Sequence, residues 1–218
     1  MAANRSRPAP HREASPRDAP RLTLSASRFL LPACFFLLSL LFLWPLTLHP
    51  TFIPFPPKSE FSDLLISHLP NAEYIRDSLT RYGQLPLWNA QILAGQPFAA
   101  DPLAGLWYPP DWLLLLLPLP FAFNLLFTVH LSLAGYGLYR FLRDDGLPLG
   151  PALLGSLAFC GAPKLIAHIG AGHVSLVFAV AWTPWWLLVI KRAADGGGLR
   201  RGAIAGVCLV LIFLADVR

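Results

Sequence analysis

The sequence predicts an all-α integral membrane protein with about five transmembrane helices and a long first extracytoplasmic loop that contains an amphipathic helix. Composition points there first. Apolar residues make up 55% of the 218-residue chain and charged residues 13%. A soluble domain of this length needs more charge to keep its surface hydrated. Second, several apolar runs approach the length that crosses a bilayer. Third, the basic residues sit at the ends of those runs, where membrane proteins place them, and not in a stripe that would follow nucleic acid. Nucleic acid is therefore not an expected partner, and membrane lipid is.

Residues 1–28 carry Arg5, Arg7, Arg12, Arg17, Arg21 and Arg28 among Pro, Ala and Ser, with no apolar period. They read as a disordered basic tail. Residues 29–48, FLLPACFFLLSLLFLWPLTL, have no charge and are long enough to span. A signal peptide is the competing reading. No small-x-small cleavage site follows, and the run ends in Trp44, Pro45, His49 and Pro50, so an uncleaved helix is expected.

Residues 49–118 form the long extracytoplasmic loop. Prolines at 50, 54, 56 and 57 exclude regular helix at its start. Leu65, Leu69, Ala72, Ile75, Leu79 and Tyr82 then recur at steps of three or four, while Asn71, Arg76 and Asp77 face elsewhere. Such a stripe suits either a membrane interface or a core belonging to the loop itself. Trp88, Trp107, Tyr108 and Trp112 suit the headgroup level. A short turn is expected over 112–117.

Further spans are expected at 119–140, 151–167, 174–190 and 202–217. RFLRDDGLPLG and KRAADGGGLRR are charged connectors, and HIGAGH is a short turn. The basic tail and both connectors fall on one side of this arrangement, and the loop carries more acid than base. The positive-inside rule places that basic side, and the N-terminus, in the cytoplasm of a multi-pass plasma (inner) membrane protein. Cys34, Cys160 and Cys208 lie inside apolar runs, with neither metal-knuckle nor disulfide spacing. They read as small buried hydrophobes.

Polar candidates gather on the loop side. Asp63 has two readings: a helix N-cap, or a carboxylate held at the membrane surface as a general base. Asp101 has the features of an ordinary Asp-Pro turn. His168 and His173 bracket an outer turn and suit an interface, a phosphate or a metal. Lys164 either snorkels or reaches a lipid phosphate. Arg76 and Arg81 lie on a solvated face or meet a phosphate. His130, mid-span, calls for a hydrogen bond to a neighbouring helix. No nucleotide-binding glycine pattern, P-loop, Ser-His-Asp constellation or zinc spacing is present in the sequence.

The segments PLWNAQILAGQPFAADPLAGLWYPP, HLSLAGYGLYRFLR and GHVSLVFAVAWTPWW resemble the N-terminal part of the YfhO-type bacterial membrane proteins, of the wider GT-C glycosyltransferase fold. The resemblance covers about residues 60–190. It implies transfer of a sugar from a polyprenyl-phosphate donor to an outer-face glycan or protein acceptor. It also implies a base in the first outer loop, where Asp63 stands, with Arg76, Lys164 and His173 as candidate cations for the departing phosphate and Asp101 as a further substrate-binding candidate. No cofactor is expected, with a divalent metal left open. Members of that family have more spans, so an N-terminal part or inactive fragment is expected. The alternative is a non-catalytic transporter, flippase-like element or scaffold.

Overall fold

The computed structural model describes residues 23–54 and 62–217. The predicted tail lies outside them up to position 22. Among the described residues the chain is all-α; the one non-helical pairing is an isolated bridge between Asn89 and Gln96. Among the described residues, four helical stretches are long and apolar enough to cross a membrane: Leu119–Asp144, Leu149–Ala171, Val174–Gly196 and Gly198–Ala215. A shorter apolar stretch, Phe29–Phe42, precedes them. The protein is an all-α membrane protein of about five spanning helices.

Helix α1 (Thr23–Phe42) starts earlier than the expected 29 and stops before 48. The run breaks at Leu43 and resumes as the short α2 (Trp44–Leu48). Pro45 has no N–H to continue the ladder. The Thr47 hydroxyl donates back across the break to the Leu40 carbonyl at 2.7 Å. Helix α4 (Leu119–Asp144) is the central element and is buried along most of its length. Pro118 and Pro120 lie at its start, where a missing N–H costs nothing. A 3₁₀ segment, Pro109–Leu115, leads into it, close to the turn expected over 112–117.

The expected span 151–167 is two helices. α5 (Leu149–Cys160) ends at Gly161, and α6 (Pro163–Ala171) begins at a proline. Gly161 lies against the Phe42 ring, where a side chain would not fit. α7 (Val174–Arg192) and α8 (Gly198–Ala215) fall close to the expected 174–190 and 202–217. α4 packs on α1, α5 and α7, and α7 on α8.

Within the loop, α3 (Leu69–Arg81) follows a π turn at Leu64–His68. Ala72 and Ile75 keep the expected stripe, but the buried face is wider than that stripe. Asn71, expected to face away, is buried and donates to the Leu103 carbonyl at 3.1 Å. Tyr82, expected on the stripe, is exposed. Tyr74 and Ile75 pack on Phe98, Ala104 and Leu106, so the helix serves a small core of the loop's own. The start of the loop is tied down as well, because the Asn124 amide on α4 donates to the Pro50 and Phe52 carbonyls at 2.8 and 2.7 Å.

The bundle has two chemically different ends. At one, the connectors after α4 and α7 meet: Arg192 Nε donates to Asp144 Oδ1 at 2.9 Å, and Lys191 lies 3.6–3.9 Å from Asp144, Asp145 and Asp195. The loop and the α6–α7 turn lie at the other.

Candidate functional site

At the loop end, Asp63 and His173 come together. Asp63 Oδ2 lies 3.4 Å from His173 Nε2, and both side chains are about one-third exposed, at 36%. His173 Nδ1 lies 2.7 Å from His168 Nδ1. Three candidates scattered in the sequence thus form one polar chain, Asp63–His173–His168.

Local backbone chemistry explains the convergence. Asp63 occupies the N-cap position of the π turn but makes no side-chain capping bond. The N–H of Leu65 is met instead by the Ser62 carbonyl at 3.0 Å. The capping reading of Asp63 therefore gives way, and its carboxylate is turned to the imidazole. His173 precedes α7 directly, after Gly172 ends α6 in the left-handed region at φ +80°. A Cβ on Gly172 would run into the backbone nitrogens of Leu64 and Asp63. Only glycine lets the α6–α7 turn approach the start of the loop helix this closely.

The other predicted site residues are held elsewhere. Asp101 Oδ1 accepts the Leu103 N–H at 2.8 Å, the Asx turn that its Asp-Pro sequence implies. Arg76 is half-buried, and its guanidinium donates to the Leu114 and Leu117 carbonyls. Both bonds come from Nη2 and pin the loop helix to the segment before α4, while the buried Nε has no partner among the described residues. Lys164 is exposed on α6, one helical turn before His168, and makes no ion pair among the described residues. Arg81 pairs with Asp77 at 3.2 Å on the exposed face.

The polar chain is a poor cage for a metal. Asp63 and His168 approach opposite nitrogens of the His173 ring, so one ion cannot sit among all three. Among the described residues no group of three His, Cys, Asp or Glu side chains is placed to hold a metal ion.

A second polar cluster braces the loop against the helices. Tyr108 was expected at the headgroup level but is 1% exposed. Its hydroxyl lies 2.6 Å from His130 Nε2 on α4 and accepts the Trp182 indole N–H of α7 at 2.7 Å. His130 Nδ1 is 2.7 Å from the Leu126 carbonyl, which can only accept. His130 therefore carries its proton on Nδ1, and Tyr108 donates to Nε2. Burial pushes the Tyr108 hydroxyl above its usual range, which keeps that proton on the oxygen. His130 thus finds its partner in the loop and not on a neighbouring helix. The YPP and W-x-P sequences meet in this cluster. Trp88, Trp107 and Trp112 remain exposed, as expected of interface residues.

Sequence reasoning missed Asp111. The residue as a whole is half-buried, but its Oδ1 is shut off from solvent with no hydrogen-bond partner among the described residues. Burial raises its carboxyl to about 8. Nothing in YPPDW marks that aspartate as different from any turn aspartate.

An apolar groove of about 540 Å³ opens beside α6, lined by Phe42, Pro45, Phe52, Ile166 and Ile169. It shares α6 with His168. Compared with family models, curated proteins and solved structures, the chain gives no match.

Proposed function

We propose that the chain is the N-terminal part of a polytopic membrane sugar transferase of the GT-C kind, related to the YfhO-type proteins. It moves a sugar from a polyprenyl-phosphate donor to an outer-face glycan or protein acceptor. Asp63 supplies the carboxylate of the basic group. The N-terminus and both charged connectors lie in the cytoplasm, and the protein resides in the plasma membrane, with the loop on the outer face. Positive-inside logic supports this orientation, since the two basic connectors share one end of the bundle.

The observation that carries the proposal is the carboxylate of Asp63, released from capping and paired with an imidazole at the loop end. An apolar groove for a lipid chain lies along the helix that bears the second imidazole. Lys164, exposed one turn before it, is the cation nearest in sequence for a departing phosphate. The transporter reading asks for free polar groups at mid-membrane. The buried histidine there, His130, is committed on both nitrogens.

The test is transfer from radiolabelled polyprenyl-phosphate hexose by the full-length protein in vesicles. Asp63→Asn keeps size and polarity but removes basicity, and should reduce transfer about 100-fold or more at unchanged membrane abundance. Asp101→Asn should be mild. Full activity in Asp63→Asn would overturn the role of Asp63, and equal loss in both variants would indicate a shared metal site.

A further inference from the structure

We infer that the atom taking the acceptor's proton is His168 Nε2, with His173 and Asp63 behind it as positioning residues. This rests on the transferase reading above and changes which group touches the substrate.

The polarity of the chain leads there. An ionised carboxylate only accepts hydrogen bonds. Asp63 Oδ2 lies 3.4 Å from His173 Nε2, a charge contact and not a hydrogen bond, and its negative charge favours hydrogen on that nitrogen. A neutral His173 then has its lone pair on Nδ1. His168 Nδ1, 2.7 Å away, must be the donor. The remaining lone pair is on His168 Nε2, which has no partner among the described residues.

The chain therefore accepts a proton at one end only. Asp63 cannot pass one to His173, because that nitrogen is already protonated. The order carboxylate, orienting imidazole, base is the logic of a catalytic triad with one ring added. In the step, the acceptor O–H gives its proton to His168 Nε2 while the acceptor oxygen's electron pair bonds the sugar's anomeric carbon. The carbon–oxygen bond to the carrier phosphate breaks, and its electron pair leaves on the phosphate. The Nδ1 proton of His168 moves to His173 Nδ1, which places the imidazolium charge beside Asp63. Lys164, one turn before His168, favours that transfer by repelling positive charge from His168.

The first measurement is ¹⁵N NMR of the full chain, histidine-labelled, in lipid nanodiscs at neutral pH. His168 should be found with hydrogen on Nδ1 and a bare Nε2. His173→Phe should return it to the tautomer mixture of an unrestrained imidazole. A hydrogen on Nε2 of His168 in the unsubstituted protein would overturn the inference. The second measurement is transfer by the full-length protein. His168→Gln should lose at least as much turnover as Asp63→Asn, about 100-fold or more. If His168→Gln keeps its rate while Asp63→Asn is inactive, Asp63 acts alone; the relay falls and the transferase reading stands. No transfer by the unsubstituted protein would overturn the transferase reading itself, a failure that the tautomer measurement does not share.

Discussion

The Tyr108 hydroxyl, carried by the loop, closes onto His130 Nε2 at 2.6 Å, deep against α4. The Trp182 indole on α7 completes the chain from the other side. The loop is thus bolted to two membrane helices by one phenol.

Replacing Tyr108 with Phe strands a buried imidazole nitrogen and a half-buried indole N–H. Each such loss costs about 1–3 kcal/mol. Tyr108→Phe should lower the unfolding midpoint in detergent and speed proteolysis across 62–112. Trp182→Phe added to it should cost much less than it does alone, because their shared hydrogen bond is already gone. Full additivity of the two would mean that they are not coupled.

Gly172 holds the loop start and the α6–α7 turn in register. Alanine there must adopt a left-handed backbone, at about 1–2 kcal/mol, and its methyl displaces the backbone of Leu64 and Asp63. Gly172→Ala should destabilise the protein and part Asp63 from His173. Histidine NMR shifts of His173 in this variant should approach those of Asp63→Asn. Wild-type shifts would show that the close approach is dispensable.

Asp111 predicts a pH dependence. Its carboxyl is raised from 3.8 to about 8, so the folded state holds the proton more tightly than the unfolded state. Stability from this group is complete below pH 4, declines as pH rises, and is gone above pH 8. Asp111→Asn cannot ionise. It should match the parent near pH 4 and exceed it by several degrees at about pH 8.5. Thermal unfolding at a series of pH values checks this, and parallel curves for the two proteins would refute it.

Topology is tested by single cysteines in a background with Cys34, Cys160 and Cys208 replaced by serine. Positions 15, 145 and 197 should resist a membrane-impermeant thiol reagent in intact cells, and position 91 should react. Labelling at 145 but not at 91 would invert the orientation.

The sequence by itself determined the all-α membrane class, the approximate spans and the existence of a helix inside the first loop. Hydropathy sums locally, and a bilayer acts on every run in the same way, so neighbours in the chain suffice. Pro45 and Pro163 stand inside runs that hydropathy reads as continuous spans, and the structure breaks the helix at each. The π turn at Leu64–His68 has no local signature, and Asn71 is held inward by the carbonyl of distant Leu103. Only the tertiary structure decided which polar groups meet. Asp63, His168 and His173 were each legible as candidates, but their junction depends on one glycine turn approaching a distant backbone. Arg76 and Asp101 were equally legible and are spent on carbonyls and on a turn. Burial of Tyr108 and isolation of Asp111 follow from how the loop folds back on α4 and α7. A side chain's partners are set by the phase and crossing of separate helices, and no single stretch of sequence contains that information.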